Sequence, residues 1–342
     1  MKSALYEGAR KIVWRDVEKP LPGKGEAVIE VRYCGICGTD LHIYHGDMDA
    51  RLHIPQTVGH EMSGVIDSVG TDVSDWKKGD RVTVRPLESC GECATCRRGF
   101  THICEKIRFL GIETDGAFAQ YWKVPAKRLH RLPEGMNWRL GALIEPLAVA
   151  CHDVRRGEVC RGDFAVVSGG GPIGMLVALC ARQNGARVVI SEINAFRRAF
   201  AEKLGFETID PLHCELEKEV KLKNSGNGAD VVFEVSGSAP GALAMTALAR
   251  PRGRIVMVAI YPKPTPVDLH KFFWKELTLL GARVYEREDF EKAIALAASG
   301  TLPLEKMITK VFPLEKLGEA FQYMEQEKSA MKILIQCNGG EK

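Results

Sequence analysis

The fold is decided by the stretch FAVVSGGGPIG, residues 164–174. Its first five residues predict a buried strand, and this strand runs directly into a glycine-rich turn that opens a helix. The pattern of the turn is Gly169-x-Gly171-x-x-Gly174. In such units the first glycine permits the tight turn, the second lets the backbone approach a pyrophosphate, and the third allows the helix to pack closely on the strand. The stretch therefore predicts a dinucleotide-binding site.

The cofactor of this site is predicted to be NAD. Its pyrophosphate is expected at the start of the helix, beside Pro172 and Ile173, where unpaired backbone N–H groups favour an anion. Glu192 ends the next predicted strand, and its carboxylate can accept hydrogen bonds from both hydroxyls of the adenosine ribose while it repels a 2′-phosphate. Arg197 and Arg198 could contact a 2′-phosphate instead, but we expect them at the start of a solvated helix beside the adenine.

The pattern on either side of this stretch divides the chain. Up to about residue 145 it is β-rich, with short alternating runs at 27–31 and 65–69 separated by Gly, Pro and Asp. From about residue 148 strands alternate with helices, which predicts an α/β fold with a parallel, doubly wound sheet. The predicted strands there are 164–168, 187–191, 231–234, 255–259 and 277–282, and the predicted helices are 173–184 and 195–204. The tail predicts helices at 290–298 and 314–326 and a strand at 332–336.

Length and composition exclude several classes of protein. A chain of 342 residues is longer than one hydrophobic core usually holds, so two domains are expected. The net charge of +3 is small and shows no basic block, which argues against nucleic acid and anionic membranes as partners. The first twenty residues lack the apolar run of a signal peptide, and no later run approaches the roughly 18 apolar residues that span a bilayer. We expect a cytoplasmic protein.

Four of the eleven cysteines fall within fifteen residues, in a segment that has few aliphatic side chains. In a reducing compartment such clustering indicates a metal rather than disulfides. Four thiolates complete a closed tetrahedral zinc site and leave no position for a substrate. We therefore predict a structural zinc lobe over 88–106, with chance clustering and an iron–sulfur cluster as the alternatives. The predicted ligands are Cys90, Cys93, Cys96 and Cys104.

A second zinc site is indicated by Cys37, which lies in GICGTDLH at 35–42, and by His60 and Glu61, which lie in VGHE at 58–61. Either segment alone would be unremarkable, since single cysteines and histidines are more often packed residues than ligands. Together with a nucleotide fold downstream they carry a resemblance. The chain resembles the zinc-containing medium-chain alcohol dehydrogenases, and within them the butanediol and polyol (sorbitol-type) dehydrogenases. The likeness spans essentially its whole length and includes IEPLAVA at 144–150, RPRG at 250–253 and YEREDF at 285–290.

The resemblance implies a domain plan and a set of site residues. A GroES-like catalytic domain, 1–147 and 285–342, would surround a Rossmann NAD-binding domain, 148–284, with the active site in the cleft between them. Cys37, His60 and Glu61 match the ligands of the catalytic zinc, and Glu145 matches the acid that reaches this metal directly or through water. Thr39 and His42 match the proton relay. The nicotinamide would rest beside Val258, Ala259, Ile260, Ala282 and Val284.

The implied reaction is the transfer of hydride from a secondary alcohol to NAD, with zinc as the Lewis acid. A polyol, a vicinal diol or a sugar-derived alcohol is the expected substrate.

Sorbitol-type enzymes carry an Arg where Val284 stands here. L-Threonine 3-dehydrogenases, the alternative, carry a His at the position of Leu87 and an Asp-Pro at that of Glu145 and Pro146. The residues also leave open a non-catalytic NAD-binding regulatory or structural protein and a reductase that uses NADPH. A homo-dimer or homo-tetramer is expected.

Overall fold

The computed structural model describes residues 1–327 and 329–339, and it divides into two compact units. One unit contains Met1–Glu145 together with Glu286–Lys342, and the other contains Pro146–Tyr285. Residues 328 and 340–342 of the predicted catalytic domain lie outside the described residues. The first unit is therefore built from both ends of the chain, and the second is a continuous segment between them.

The N-terminal part of the first unit is rich in strands, as its alternating pattern predicts. The strands are β1 (Lys2–Tyr6), β2 (Ile12–Asp16), β3 (Glu26–Ile36), β4 (Gln56–Thr57), β5 (Glu61–Val69), β6 (Arg81–Val84), β7 (Leu87–Glu88), β8 (Arg108–Phe109), β9 (Tyr121–Pro125) and β10 (Leu129–Arg131). The helices are α1 (Gly38–His45), α2 (Ala94–Arg97) and α3 (Trp138–Gly141), with 3₁₀ turns at Asp49–Arg51, Thr101–Ile103 and Ala126–Arg128.

The continuous unit alternates strands and helices. After α4 (Ile144–Arg156) come β11 (Phe164–Ser168), α5 (Pro172–Gln183), β12 (Arg187–Ser191), α6 (Ala195–Lys203), β13 (Glu207–Ile209), α7 (Leu216–Lys223), β14 (Ala229–Glu234), α8 (Ala239–Leu248), β15 (Ala249–Met257), α9 (Leu269–Lys275) and β16 (Thr278–Gly281). The C-terminal part of the first unit then contains α10 (Arg287–Ser299), β17 (Ile308–Pro313), α11 (Leu317–Gln326) and β18 (Lys332–Gln336), with 3₁₀ turns at Leu304–Met307 and Leu314–Lys316.

The main sheet of the first unit joins the two ends of the chain. Its strand order is β10-β6-β5-β3-β18-β17, and β9 also pairs with β3. The C-terminal strand β18 lies antiparallel to β3, with Ile333 opposite Ile36. Large apolar side chains such as Trp122, Phe118 and Phe321 are buried against this sheet. The register of β18 on β3 brings residues of the last twenty positions next to the segment that carries Cys37.

The sheet of the continuous unit is parallel, and its order is β13-β12-β11-β14-β15-β16. The predicted α/β, doubly wound fold is thus confirmed. Every residue of β11 is buried, as is typical of a strand that is covered on both faces. The strand order reverses direction between β11 and β14, which is the place where ligands bind in sheets of this kind. Among the described residues no helix has the length and apolar character to cross a bilayer.

One predicted strand ends two residues earlier than expected. The apolar run predicts a strand over 255–259, but β15 ends at Met257. The N–H groups of Val258 and Ala259 both donate to the carbonyl oxygen of Glu234, at 3.0 Å each, instead of continuing the ladder with β16. The segment that follows β15 is therefore bent onto the end of β14.

Candidate active site

Cys37 is held at the N-terminus of α1 by reciprocal hydrogen bonds. The N–H of Asp40 donates to Cys37 Sγ at 3.4 Å, and the N–H of Cys37 donates to Asp40 Oδ2 at 2.9 Å. This is a capping box in which a thiol takes the place of the usual hydroxyl. It explains why the sequence places a cysteine and an acid three residues apart at the start of a helix. The thiol therefore has a fixed position before any ligand arrives.

His60 and Glu61 lie at the start of β5 and meet Cys37 within the first unit. One ligand atom from each of the three residues lies within 4.8 Å of the others. The Nε2 atom of His60 is 3.5 Å from Cys37 Sγ. Zinc–sulfur and zinc–nitrogen bonds of about 2.3 and 2.0–2.1 Å in a tetrahedron would separate the two atoms by about 3.5 Å. The sulfur, nitrogen and oxygen donors thus fit a zinc ion that keeps one open position.

Asp40 stands behind the ring of His60, a position that no sequence motif indicated. Its Oδ1 lies 3.8 Å from His60 Nδ1, and neither buried atom has a hydrogen-bond partner. A carboxylate at the second nitrogen of a metal-binding imidazole fixes the orientation of the ring. Burial and the charge of Asp40 raise the pKa of the Cys37 thiol well above its ordinary value. A dication beside Cys37 would reverse this effect, because it stabilises the thiolate.

Lys332 is the second residue of this centre that was not predicted from the sequence. It lies on β18, is buried, and forms an ion pair with Glu61 Oε2. Its Nζ also donates to the carbonyl oxygen of Ile36 at 2.9 Å. Burial acts to lower the pKa of Lys332, but the charges of Glu61, Cys37 and Glu145 and the hydrogen bond to Glu61 together outweigh it, so the pKa is raised. A Cβ at Gly35 would overlap the Glu61 carboxylate and lie 3.0 Å from Lys332 Cε, so glycine leaves the room for this pair. A lysine at the start of a largely apolar strand was the signal in the sequence.

The other predicted residues of this centre take different positions. Glu145 is buried in the same unit, and its charge contributes to the raised pKa of Lys332. It does not belong to the group of Cys37, His60 and Glu61, whose ligand atoms lie within 4.8 Å of one another. Thr39 is half-buried in the first turn of α1. His42 lies one turn later, is exposed, and has its Nδ1 3.1 Å from Asp47 Oδ2.

The four cysteines of the predicted lobe converge as a separate centre. The sulfur of Cys104 lies 3.5 Å from that of Cys90 and 3.9 Å from that of Cys93, and Cys96 belongs to the same group. Two sulfurs on one tetrahedral zinc are expected to lie about 3.8 Å apart. The backbone N–H groups of Cys96 and Glu105 lower the pKa of Cys93 to about 6. Burial and the neighbouring cysteines raise the pKa of Cys96 to about 12, so a zinc ion would be needed to hold all four side chains as thiolates.

The glycine-rich turn has the close approaches that its sequence predicts. Gly169 has a φ of +105°, and a Cβ at Gly174 would overlap the Gly169 carbonyl oxygen. Gly171 is the N-cap of α5, and as a glycine it has no side chain that could accept hydrogen bonds from the first turn of the helix. The backbone N–H groups of this turn are therefore available to an anion. The donor set and the space thus fit a pyrophosphate.

Glu192 follows β12 directly and is buried beside this turn. Its Oε2 accepts from the N–H of Gly170 and its Oε1 from the N–H of Asn194, both at 2.7 Å. Arg197 Nη1 lies 4.0 Å from Glu192 Oε2. Arg198 is directed elsewhere, because it donates to the carbonyl oxygen of Glu192 at 2.9 Å and pairs with Asp210 at 2.8 Å. The predicted acceptor for the ribose therefore lies beside the glycine-rich turn, with one arginine facing the turn.

The residues predicted to support the nicotinamide all follow carboxyl ends of strands. Val258, Ala259 and Ile260 come after β15, and Ile260 is 87% exposed. Ala282 follows β16, and its N–H donates to the carbonyl oxygen of Met257 at 3.0 Å. Val284 has a φ of +50°, which is strained for a β-branched residue, and such strain is concentrated at functional sites.

Two segments of the chain match families of known proteins. Residues 23–134 match the alcohol dehydrogenase GroES-like domain, and residues 172–299 match the zinc-binding dehydrogenase family. The chain is 53% identical to the 2-dehydro-3-deoxy-L-galactonate 5-dehydrogenase of Pseudoalteromonas atlantica over 99% of both chains. It is 33% identical to the L-galactonate-5-dehydrogenase of Escherichia coli over 94% of both. It is 36% identical to the L-threonine 3-dehydrogenase of Pyrococcus horikoshii over 98% of this chain and 97% of the relative.

Solved structures show the same architecture. The 2R,3R-butanediol dehydrogenase of Bacillus subtilis has a TM-score of 0.91 and 32% identity, over 98% of this chain and 99% of the other. A putative zinc-binding dehydrogenase of Sinorhizobium meliloti, bound to NADP, has a TM-score of 0.91 and 31% identity over 98% of both. An alcohol dehydrogenase of E. coli, complexed with NADH, has a TM-score of 0.92 and 29% identity over 98% of this chain and 99% of the other.

The Glu61–Lys332 pair generates a prediction about stability. Lys332→Met leaves the Glu61 carboxylate buried without its counter-charge, which should lower the free energy of unfolding of the metal-free protein by about 3–5 kcal/mol. The loss should be smaller in zinc-saturated protein, because the metal brings positive charge to the same carboxylate. Thermal unfolding with a chelator and with saturating zinc measures both losses relative to wild type.

Lys218→Met is the matched control, since it removes a lysine from an exposed pair with Glu215 whose charged atoms are 2.8 Å apart. Exposed pairs contribute little, so this variant should unfold like wild type under both conditions. A Lys332→Met protein that is as stable as wild type without zinc would contradict the prediction.

Proposed function

The chain belongs to the zinc-binding alcohol dehydrogenases, and within this family we propose that it oxidises a secondary hydroxyl of a sugar acid to a ketone. It is an oxidoreductase that uses zinc and a nicotinamide dinucleotide to oxidise a secondary alcohol. The proposal concerns the substrate, the residues that act on it and the preference between NAD and NADP. The observation that carries it is the 53% identity over 99% of both chains with a dehydrogenase of a deoxy sugar acid.

The proposed mechanism assigns each residue a task. Cys37, His60 and Glu61 hold the catalytic zinc, and Asp40 orients the ring of His60. When bound, zinc supplies a Lewis acid that lowers the pKa of an alcohol hydroxyl, and NAD supplies the hydride acceptor. Thr39 accepts the proton of the substrate hydroxyl while its own hydroxyl proton passes on toward His42. His42, three residues later and on the same side of α1, releases that proton to water, a task that its exposure supports.

The position of oxidation on the sugar acid is proposed from two relatives. Both the enzyme from P. atlantica and the one from E. coli are named for oxidation at carbon 5 of a galactonate skeleton. The threonine dehydrogenase of P. horikoshii is 36% identical, which is close to the 33% of the E. coli enzyme but well below the 53% of the P. atlantica enzyme, so the latter carries the proposal. We therefore propose that the substrate carries its reactive hydroxyl at carbon 5 of a six-carbon acid. A carboxylate ligand such as Glu61 makes the zinc site harder than a second thiolate would, which suits a hydroxyl-rich substrate.

A panel of alcohols tests the substrate. With NAD in excess, kcat/KM should be at least about tenfold higher for 2-dehydro-3-deoxy-L-galactonate than for L-galactonate, L-threonine, sorbitol or 2,3-butanediol, because a site that pairs each polar group of its substrate rejects analogues that leave those groups unpaired. Cys37→Ser protein serves as the background control. A preference for L-threonine would replace this proposal with a threonine dehydrogenase, and turnover of none of them would contradict it.

The cofactor is proposed to be NAD, on the strength of Glu192. Glu192→Ala should weaken NAD binding by about tenfold and reduce the preference for NAD over NADP, because the ribose hydroxyls lose a charged acceptor. Titration of the free protein with each dinucleotide measures the change. Glu202→Ala is the control, since this exposed acid on α6 contacts only a neighbouring hydroxyl, that of Thr208, at 2.6 Å. Wild-type protein that prefers NADP would overturn the role of Glu192.

A homo-oligomer is also proposed, formed through α9 and the edge strand β16. Phe273 is 77% and Trp274 is 68% exposed on α9, and Leu279 is 46% exposed on β16. Strand β16 ends the parallel sheet, so one side of its backbone can pair with a second copy. Sedimentation should find a dimer or tetramer that Trp274→Glu dissociates, and monomeric wild-type protein would refute this. None of the described cysteines forms a disulfide, which supports a reducing, cytoplasmic location as part of this proposal.

A further inference from the structure

Glu234 is a buried acid at the end of β14 that has no part in the proposed chemistry. Four donors converge on its Oε1 atom: the N–H of Ser236 at 3.0 Å, the hydroxyl of Ser236 at 2.5 Å, the N–H of Gly237 at 3.1 Å and the hydroxyl of Tyr261 at 3.0 Å. Burying a carboxylate is unfavourable unless it is well paired. One oxygen with so many donors therefore indicates a specific task.

The same residue also holds the segment after β15 through its backbone. The carbonyl oxygen of Glu234 accepts from the N–H groups of Val258 and Ala259, while its carboxylate accepts from Tyr261. Two attachments thus lie on either side of Ile260, which is exposed. Residues 258–260 are those proposed to support the nicotinamide. Their position depends on Glu234 at both ends.

On its other side Glu234 holds the segment that packs on the phosphate-binding turn. The N–H of Val235 donates to the carbonyl oxygen of Ser168 at 2.9 Å. A Cβ at Gly169 would lie 2.9 Å from the backbone nitrogen of Ser236, so the two loops are in close contact. The hydrogen bonds from Ser236 and Gly237 to the Glu234 carboxylate keep this second loop against the glycine-rich turn.

The second carboxylate oxygen is placed where a negative charge is favourable. Oε2 of Glu234 is buried without a hydrogen-bond partner and faces the first turn of α8, where a Cβ at Gly241 would lie 2.8 Å from it. The N-terminal end of a helix carries a partial positive charge that stabilises a carboxylate. Burial and the charge of Glu234 also raise the pKa of Tyr261, so its hydroxyl stays a donor at neutral pH.

We infer that Glu234 and Tyr261 are positioning residues that lock the nicotinamide-side loop 258–261 to the phosphate-binding turn. The inference rests on the proposed function, because it requires that a nicotinamide lies beside residues 258–260. Tyr261 secures the nicotinamide side and Ser236 secures the phosphate side, with Glu234 as their common acceptor. The two sides can therefore be tested separately.

The test compares the binding of NAD with that of ADP-ribose, which lacks the nicotinamide. Tyr261→Phe should raise the Kd of NAD by about five- to tenfold and leave that of ADP-ribose within about twofold, because one hydrogen bond to a charged acceptor is lost on the nicotinamide side alone. Ser236→Ala should weaken both ligands. Tyr6→Phe is the matched control, because Tyr6 donates to Asp49 at 2.6 Å in the other unit and should change neither Kd.

The outcomes separate the inference from the proposed function. Wild-type protein that binds ADP-ribose but not NAD would refute the proposed function and this inference with it. Wild-type protein that binds NAD, with a Tyr261→Phe variant whose Kd values are both unchanged, would overturn the positioning role alone. The positioning role would also be overturned if the affinities for NAD and ADP-ribose fell by the same factor and the melting temperature of the variant were lower. That result would indicate a purely structural residue. A selective loss of NAD affinity supports the inference.

Discussion

The first unit depends on the buried ion pair between Glu61 and Lys332. Each partner would be unstable alone in this position, because an unpaired charge inside a protein loses its hydration without compensation. Lys332 lies on the last strand and Glu61 on β5, so the pair can form only when the C-terminal strand has joined the sheet through β3. The interaction thereby couples closure of the fold to construction of the metal centre. Gly35 on the intervening strand leaves the space that the pair occupies.

The charges around this pair decide what the metal centre can do. Glu61 is shared between Lys332 on one side and the ligand group of Cys37 and His60 on the other. A carboxylate that is already paired with a cation gives less negative charge to a metal, which leaves that metal a stronger Lewis acid toward an alcohol. Asp40 acts in the opposite direction on His60, since a carboxylate at the second ring nitrogen makes the imidazole a better donor. In the proposed centre one zinc ion would thus be tuned from two sides.

Much of the fold and of the site could be predicted from the sequence. The strands 164–168 and 187–191 were predicted with their observed bounds, because strands buried on both faces read as unbroken apolar runs. The strand predicted over 255–259 extends two residues beyond the observed end of β15, because the N–H groups of these two residues donate to the carbonyl oxygen of Glu234. The roles of Asp40 and Lys332 depend on contacts between distant segments, and strand register cannot be read from a local pattern. Short motifs predicted the ligands, and tertiary structure alone placed their partners.

The main expectation is that two zinc ions are bound, one by four thiolates and one by a mixed set of ligands that leaves a position for the alcohol. Anomalous diffraction from crystals of the purified protein, recorded on both sides of the zinc absorption edge, tests it most directly. Two zinc peaks should appear in each chain, one among Cys90, Cys93, Cys96 and Cys104 and one bounded by Cys37 and His60 beside Glu61. A single peak within the four-cysteine lobe, in protein that still oxidises its substrate, would rule out the mixed set of ligands as the site of a catalytic zinc.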